Sequence, residues 1–225
     1  MALMKNNRFV TTSEHFGADL PVTPQEQFVT DVYRAVDEAT ADSVARLQRE
    51  EGIVPSCKRG CCHCCRYHIV TNIAEAHTLA QYVKREFLAE QIDELRWRTQ
   101  QWHAWDNSRP GRHPLPPAAR PLDLMRNSPY CPLLVDGACS VYPVRPVPCR
   151  THFVCSDPQF CRAASDPDAT QEAPVVLTSI VVAAEPSARA LQKLIEHADL
   201  DYSRTLSLLP HALAHHMGWD FAVAS

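Results

Sequence analysis

Ten cysteines lie between Cys57 and Cys161 of a 225-residue chain. Five fall within nine residues, as Cys57, Cys61, Cys62, Cys64 and Cys65, and the rest are Cys131, Cys139, Cys149, Cys155 and Cys161. Thiolates are soft ligands that select zinc, copper(I) and iron–sulfur clusters over hard cations. Cys61-x-x-Cys64 is a chelating turn, because two intervening residues let both sulfurs face one metal. Cys62-x-x-Cys65 repeats that spacing one residue later. Adjacent side chains diverge, so Cys64 and Cys65 serve different metals, or one of them only supports the other's ligand. Cys57 can swing in as a further donor. The second segment is irregular, with seven residues between Cys131 and Cys139 and nine more before Cys149. Regular short knuckles favour structural zinc, whereas this irregularity fits a cluster or polynuclear site assembled from two distant segments, with zinc as the alternative. The competing readings are buried free thiols packing as small hydrophobes and a disulfide framework.

Charge sharpens the expectation of metal. The net charge is −4, and ionising eight thiols would take it to −12, which bound metal must largely neutralise. Lys58, Arg59, Arg66, Arg145 and Arg150 sit beside the cysteines. Arg145 and Arg150, inside a proline-constrained stretch, are the expected screens of a cofactor's charge, and His63, inside the first cluster, is an expected ligand or donor. His68 and His152 lie close enough in sequence to act as proton shuttles. His211 and His215 are four apart on one helix face, with His216 beside them. No acidic residue follows His211, so the zinc-peptidase pattern is not met and a polar helix face is the plainer reading. His77 is expected at the edge of a packed helix. Trp102 and Trp105, at helical spacing, are expected in the core; with Trp97 and Trp219 they are the residues able to stack a flat ligand.

The positioning elements read as mostly helical. Thr23-Pro24-Gln25-Glu26 is a capping box with proline at the first helical position. Apolar residues from Phe28 to Leu47 then recur at helical spacing up to Gly52. Asn72 and Glu75 open a second helix with a buried face of Ile73, Ala76, Leu79, Ala80, Val83 and Phe87. Leu88, Ile92, Leu95, Trp102 and Trp105 continue the helical pattern. Residues 108–121, with five prolines, read as a rigid linker. Asp136-Gly137 between apolar runs predicts a β-hairpin. Pro143, Pro146 and Pro148 predict irregular chain up to Cys149. Residues 175–184 read as a strand or buried extended run, 187–197 as a helix, and 203–217 as a helix kinked at Pro210. The expected fold is a mostly α, helical domain with a small β-hairpin, organised around a cysteine-ligated metal cluster. Its expected parts are an N-terminal helical arm (1–52), a cysteine-cluster domain (53–165) and a C-terminal helical tail (166–225) packing on that domain.

Composition bounds the function. At 45% hydrophobic residues the chain can build a core without staples. The mild acidity argues against a generic nucleic-acid binder, and 21% charged residues against a disordered acidic chain. The opening MALMKNNRFVTTSEHF holds no apolar core of signal-peptide length, and the ten-residue run 175–184 is too short to span a bilayer. A cytoplasmic location without membrane contact is expected, where thiols stay reduced.

Cys57-Lys-Arg-Gly-Cys61-Cys-His-Cys64-Cys65, followed by Ile69-Val70-Thr71 and Glu75-Ala76, resembles the signature of the YkgJ-type cysteine-cluster family, described as a zinc- or iron-chelating domain. The resemblance continues through Cys131-Pro132-Leu133, then Asp136-Gly137-Ala138-Cys139-Ser140-Val141-Tyr142, Arg145-Pro146 and Cys149-Arg150. It covers about residues 55–161 and implies Cys57, Cys61, Cys64, Cys65, Cys131, Cys139, Cys149 and Cys161 as ligands, with Cys62 and Cys155 as extras. A larger relative of that family, flagellin lysine N-methylase, is associated with an iron–sulfur cluster. Six glycines and no glycine-rich strand–turn–helix argue against a Rossmann-type methyltransferase here, and no alternating strand–helix pattern supports the barrel of radical enzymes. Two readings stay open. One is an iron–sulfur or iron enzyme, an oxidoreductase or a modifier of a protein or peptide side chain. The other is a non-catalytic zinc- or iron-binding interaction module. The long N-terminal helix makes self-association plausible.

Overall fold

A computed structural model describes residues 22–58, 60–108, 128–164 and 173–221. The 108–121 linker falls almost wholly outside the described residues, as does Arg59. The fold is mostly helical with two small antiparallel strand pairs.

The longest helix, α1 (Pro24–Glu51), begins as its sequence dictates. The Thr23 hydroxyl accepts from Glu26 N–H, and the Glu26 carboxylate accepts from Thr23 N–H at 2.8 Å. It ends at Gly52, whose φ of 67° suits a residue without Cβ. Its apolar stripe, Val29, Val32, Tyr33, Val36 and Leu47, is buried against α2 (Ile73–Glu86), α4 (Val147–Thr151) and α6 (Thr178–Glu196). The face that suggested self-association is therefore covered within the chain. Each fully buried aliphatic side chain, such as Val29, Leu79 or Ile195, contributes about 1.5–3 kcal/mol relative to exposure.

The reciprocal Asn72–Glu75 box starts α2. After a break at Phe87 and Leu88 comes α3 (Ala89–Ser108), which buries Ile92, Leu95, Thr99, Trp102 and Asp106 at alternating three- and four-residue steps. β2 (Leu134–Val135) and β3 (Ala138–Cys139) form the expected hairpin. Its turn residues Asp136 and Gly137 have φ of 49° and 76°, the doubly positive geometry that Asp-Gly favours. Cys161 sits on α5 (Pro158–Ala163).

Three sequence expectations are corrected. The prolines before Cys149 do not keep the chain irregular: Pro148 lies in the first turn of α4, where its missing N–H costs nothing. Residues 175–184 are not a strand. Val176 makes one bridge to Val154 and the chain then enters α6, whose buried Ile180, Ala184, Leu191 and Ile195 follow helical spacing through Pro186. The 203–217 stretch is not one kinked helix. It divides into a 3-10 turn (Tyr202–Thr205), β4 (Ser207–Leu208) and α7 (Leu209–Met217), with Pro210 in the first turn of α7. β4 pairs with β1 (Val70–Thr71) through Val70↔Leu208, so the tail clasps the strand that follows the first cysteine group. One buried cluster draws Val36, Leu79, Leu133, Val144, Leu191 and Leu213 into a common core. No helix among the described residues is long and apolar enough to cross a membrane.

Candidate metal centre

The first cysteine group leaves α1 at Gly52 and crosses to residues 154–156. Ser56 N–H donates to the Val154 carbonyl at 2.8 Å, and its hydroxyl donates to the Ser156 carbonyl at 2.6 Å. Val154 N–H in turn donates to Cys57 Sγ at 3.4 Å. A 3-10 turn, His63–Arg66, carries Cys64 and Cys65, with the Cys62 carbonyl accepting from Cys65 N–H at 2.9 Å. α5 packs on that turn and brings Cys161 to it. On the other side, Cys131 N–H donates to the Cys65 carbonyl at 2.7 Å, and the hairpin register sets Cys139 across from Leu134. All ten cysteines are free thiols.

Eight thiols act on one another electrostatically. Burial raises Cys57, and Cys61 and Cys64 raise it further. Burial followed by Cys57, Cys61 and Cys64 pushes Cys161 up to about 11. Burial and then Cys139 and Cys64 push Cys131 up to about 12, and burial with Cys131, Cys139 and Cys64 holds Cys149 well above the ordinary thiol range. Burial also raises Cys139. Cys64 moves the other way, down to about 7, because the Cys65 S–H donates to its sulfur and Arg145 lies nearby. That donation, together with burial, pushes Cys65 far up.

Of the expected non-cysteine residues, Arg145 acts on three of the thiols. Its charge lowers Cys64, Cys139 and Cys149. It lies over the Tyr142 ring at 4.1 Å, and its buried Nε has no hydrogen-bond partner among the described residues. Arg150 is placed differently. Its donors are taken by the Arg145 carbonyl at 2.7 Å, the Pro143 carbonyl and Asp37 of α1, and it lies over Tyr33 at 4.1 Å. It is a brace between α4 and α1 whose charge reaches Cys139 only through space. His63 opens the 3-10 turn, half-buried.

His152 stacks edge-on to Tyr67 at 5.0 Å, and its buried Nε2 lacks a partner among the described residues. His211 is drawn away from the thiols: its Nε2 meets Asp106 at 2.8 Å, and its ring packs on His103 and Trp102. His68 meets Ser128 at 3.2 Å and stacks near Trp102 and Trp105. His215 and His216 stack on each other, and His77 stacks on His216. Cys155 turns its S–H toward the Val175 carbonyl at 3.8 Å.

Sequence reasoning missed two neighbours of the thiols. Tyr67 is raised by burial and then by the charges of Cys161, Cys64, Cys57 and Cys61. Arg98 of α3 donates to the Leu134 carbonyl at 3.0 Å and lowers Cys131. Tyr67 had a signal in its position directly after the cluster, whereas Arg98 had none.

Among the described residues, no three His, Cys, Asp or Glu side chains stand in an arrangement ready to hold a metal ion. The donor chemistry is that of a soft metal's ligands: free thiols, half-buried except for the buried Cys161, with the Arg145 charge acting on Cys64, Cys139 and Cys149. No family model, curated protein or solved structure matches the chain.

Proposed function

We propose that this chain is a cysteine-cluster metalloprotein of a reducing compartment, the cytoplasm. Cys57, Cys61, Cys64, Cys65, Cys131, Cys139, Cys149 and Cys161 would be its ligands, and iron or an iron–sulfur cluster its first-choice cofactor. The observation that supports the reading is the approach of two distant segments to the His63–Arg66 turn that carries Cys64 and Cys65: Cys131 N–H bonds the Cys65 carbonyl, and α5, which carries Cys161, packs on the turn. Thiols that repel one another's ionisation need a cation to become thiolates together. The buried Nε of Arg145 would donate to sulfur and offset residual negative charge. Such a centre would serve redox chemistry or the modification of a protein or peptide side chain. A second reading, a zinc- or iron-braced module without turnover, is favoured by the short, irregular backbone of the two cysteine segments, which metal would hold together.

Anaerobic purification followed by metal and acid-labile sulfide analysis tests both. A brown protein with iron and sulfide supports the first reading. A colourless protein with stoichiometric zinc supports the second and sinks the iron–sulfur assignment.

A further inference from the structure

We infer that Asp106 and His211 form a ligand site apart from the thiols: a small, flat aromatic molecule carrying an O–H or N–H group packs beside His211 and donates to its Nδ1. The site goes beyond the metal-binding reading and does not depend on it.

The pair is assembled by α3 and α7, which pack on each other. Asp106 stands one turn after Trp102 near the end of α3, and its side chain is only 2% exposed. His211 stands in the first turn of α7 with its side chain 24% exposed, and its Nε2 is 2.8 Å from the Asp106 carboxylate. An ionised carboxylate only accepts, so it holds the ring hydrogen on Nε2. The lone pair of a neutral ring is then on Nδ1, which makes no hydrogen bond among the described residues. Asp106 thus fixes the tautomer from the buried side and leaves His211 an acceptor.

Joining the two helices does not require this pair. His103, one turn of α3 before Asn107, already ties α3 to α7 by donating from Nε2 to the Pro210 carbonyl at 3.2 Å. The His103 ring then lies against His211 with centroids 4.1 Å apart, edge-on.

The surroundings set the class of ligand. Trp102 meets His211 edge-on at 5.4 Å. Phe221 lies 4.9 Å from His103, and Trp219 lies 6.2 Å from Phe221. Trp102 is buried, whereas His103, Trp219 and Phe221 are half-buried, so aromatic surface runs from the core outward past His211. Aromatic rings favour a further ring in offset or edge-on contact. The acceptor on Nδ1 adds the demand for a donor, which separates a phenol or aromatic N–H compound from a plain hydrocarbon ring of the same shape.

Titration of the full chain with 4-methylphenol, and in parallel with 4-methylanisole, tests this. It is followed by long-range proton–nitrogen NMR of the histidine rings at about pH 8, where ordinary histidine is neutral. His211→Gln assigns the His211 signals by their loss. The expected result is an Nε2–H tautomer at His211, a saturable shift of its Nδ1 with 4-methylphenol, and binding of 4-methylanisole about tenfold weaker, the scale of one hydrogen bond. His211→Gln should weaken 4-methylphenol to the same extent, and His215→Gln, on the same helix, should leave it unchanged. An Nδ1–H tautomer, equal binding of the two compounds, no saturable shift, or unchanged binding in His211→Gln overturns the proposal. If His211→Gln loses its helix by circular dichroism, the tautomer and the two compounds on the unmodified chain decide alone. None of these outcomes bears on metal content, so the metalloprotein reading stands or falls separately.

Discussion

Cys64 and Cys131 are chemically the same side chain in two opposed settings. Cys64 receives the S–H of Cys65 and the field of Arg145, which bring it to about 7. At Cys131 burial and the neighbouring sulfurs outweigh the Leu133 N–H and the Arg98 charge, and it sits near 12. The thiolate is the nucleophile, so in metal-free protein at about pH 7.5 iodoacetamide should label Cys64 first, more than ~100-fold faster than Cys131. Peptide mass spectrometry after brief labelling reads this, and equal rates at the two positions would refute the donation by Cys65. The rate at Cys64 should rise with pH to a plateau, with its midpoint near 7. At this scale the sequence showed which residues are thiols and which cations stand beside them. It did not show which thiol would be the acid, because that depends on a contact between side chains and on burial.

The element that most depends on its bracing is α4, which is only five residues long and too short to persist unaided. Glu75 holds its first turn through Val147 N–H, and buried Arg150 ties it to α1 through Asp37 and to the preceding loop through two carbonyls. Arg150→Ala should therefore cost about 2–4 kcal/mol in urea unfolding, from lost charge-assisted bonds and orphaned carbonyls. Arg150→Lys should recover little, since an ammonium cannot span three acceptors in a fork. Recovery by lysine would show that charge, rather than geometry, is what matters there. The long helices were legible because capping boxes and apolar spacing are local signals: Thr23 with Glu26 and Asn72 with Glu75 both act within one turn. α4, the first half of α6 and the β1–β4 pair were not. Pro148 and Pro186 are tolerated only in their particular positions, and Ser207–Leu208 is a strand only because Val70–Thr71 lies beside it.

Among the described residues, the N-terminal helix, cysteine region and tail share one large buried cluster, beside a smaller one of Leu47, Leu177 and Ile180, and burial sets the response to acid. His216 lies on α7 against His77, His215 and Lys84, and burial followed by those charges lowers it to about 3. As pH falls below the ordinary histidine value of 6.5, the unfolded chain takes up the proton before the folded chain does. Stability attached to the neutral ring is thus complete above that pH and is lost as pH falls toward 3. Buried Glu75 opposes this, because its carboxyl is raised by burial and favours the folded state on acidification. Urea midpoints at pH 7 and pH 5 should fall less in His216→Gln than in the parent chain, and an equal fall in both would remove His216 from the acid response.

The sequence by itself determined the mostly helical class, the hairpin at Asp136-Gly137 and the segments that carry the thiols, because capping, turn and chelate spacings act over a few residues. Only the tertiary structure decided that Arg150 braces α4 while Arg145 faces the sulfurs, that His211 belongs to Asp106, and that Cys131 reaches Cys65. Each of those pairings joins elements by burial and hydrogen bonding across the fold, a distance over which local residue pattern carries no information.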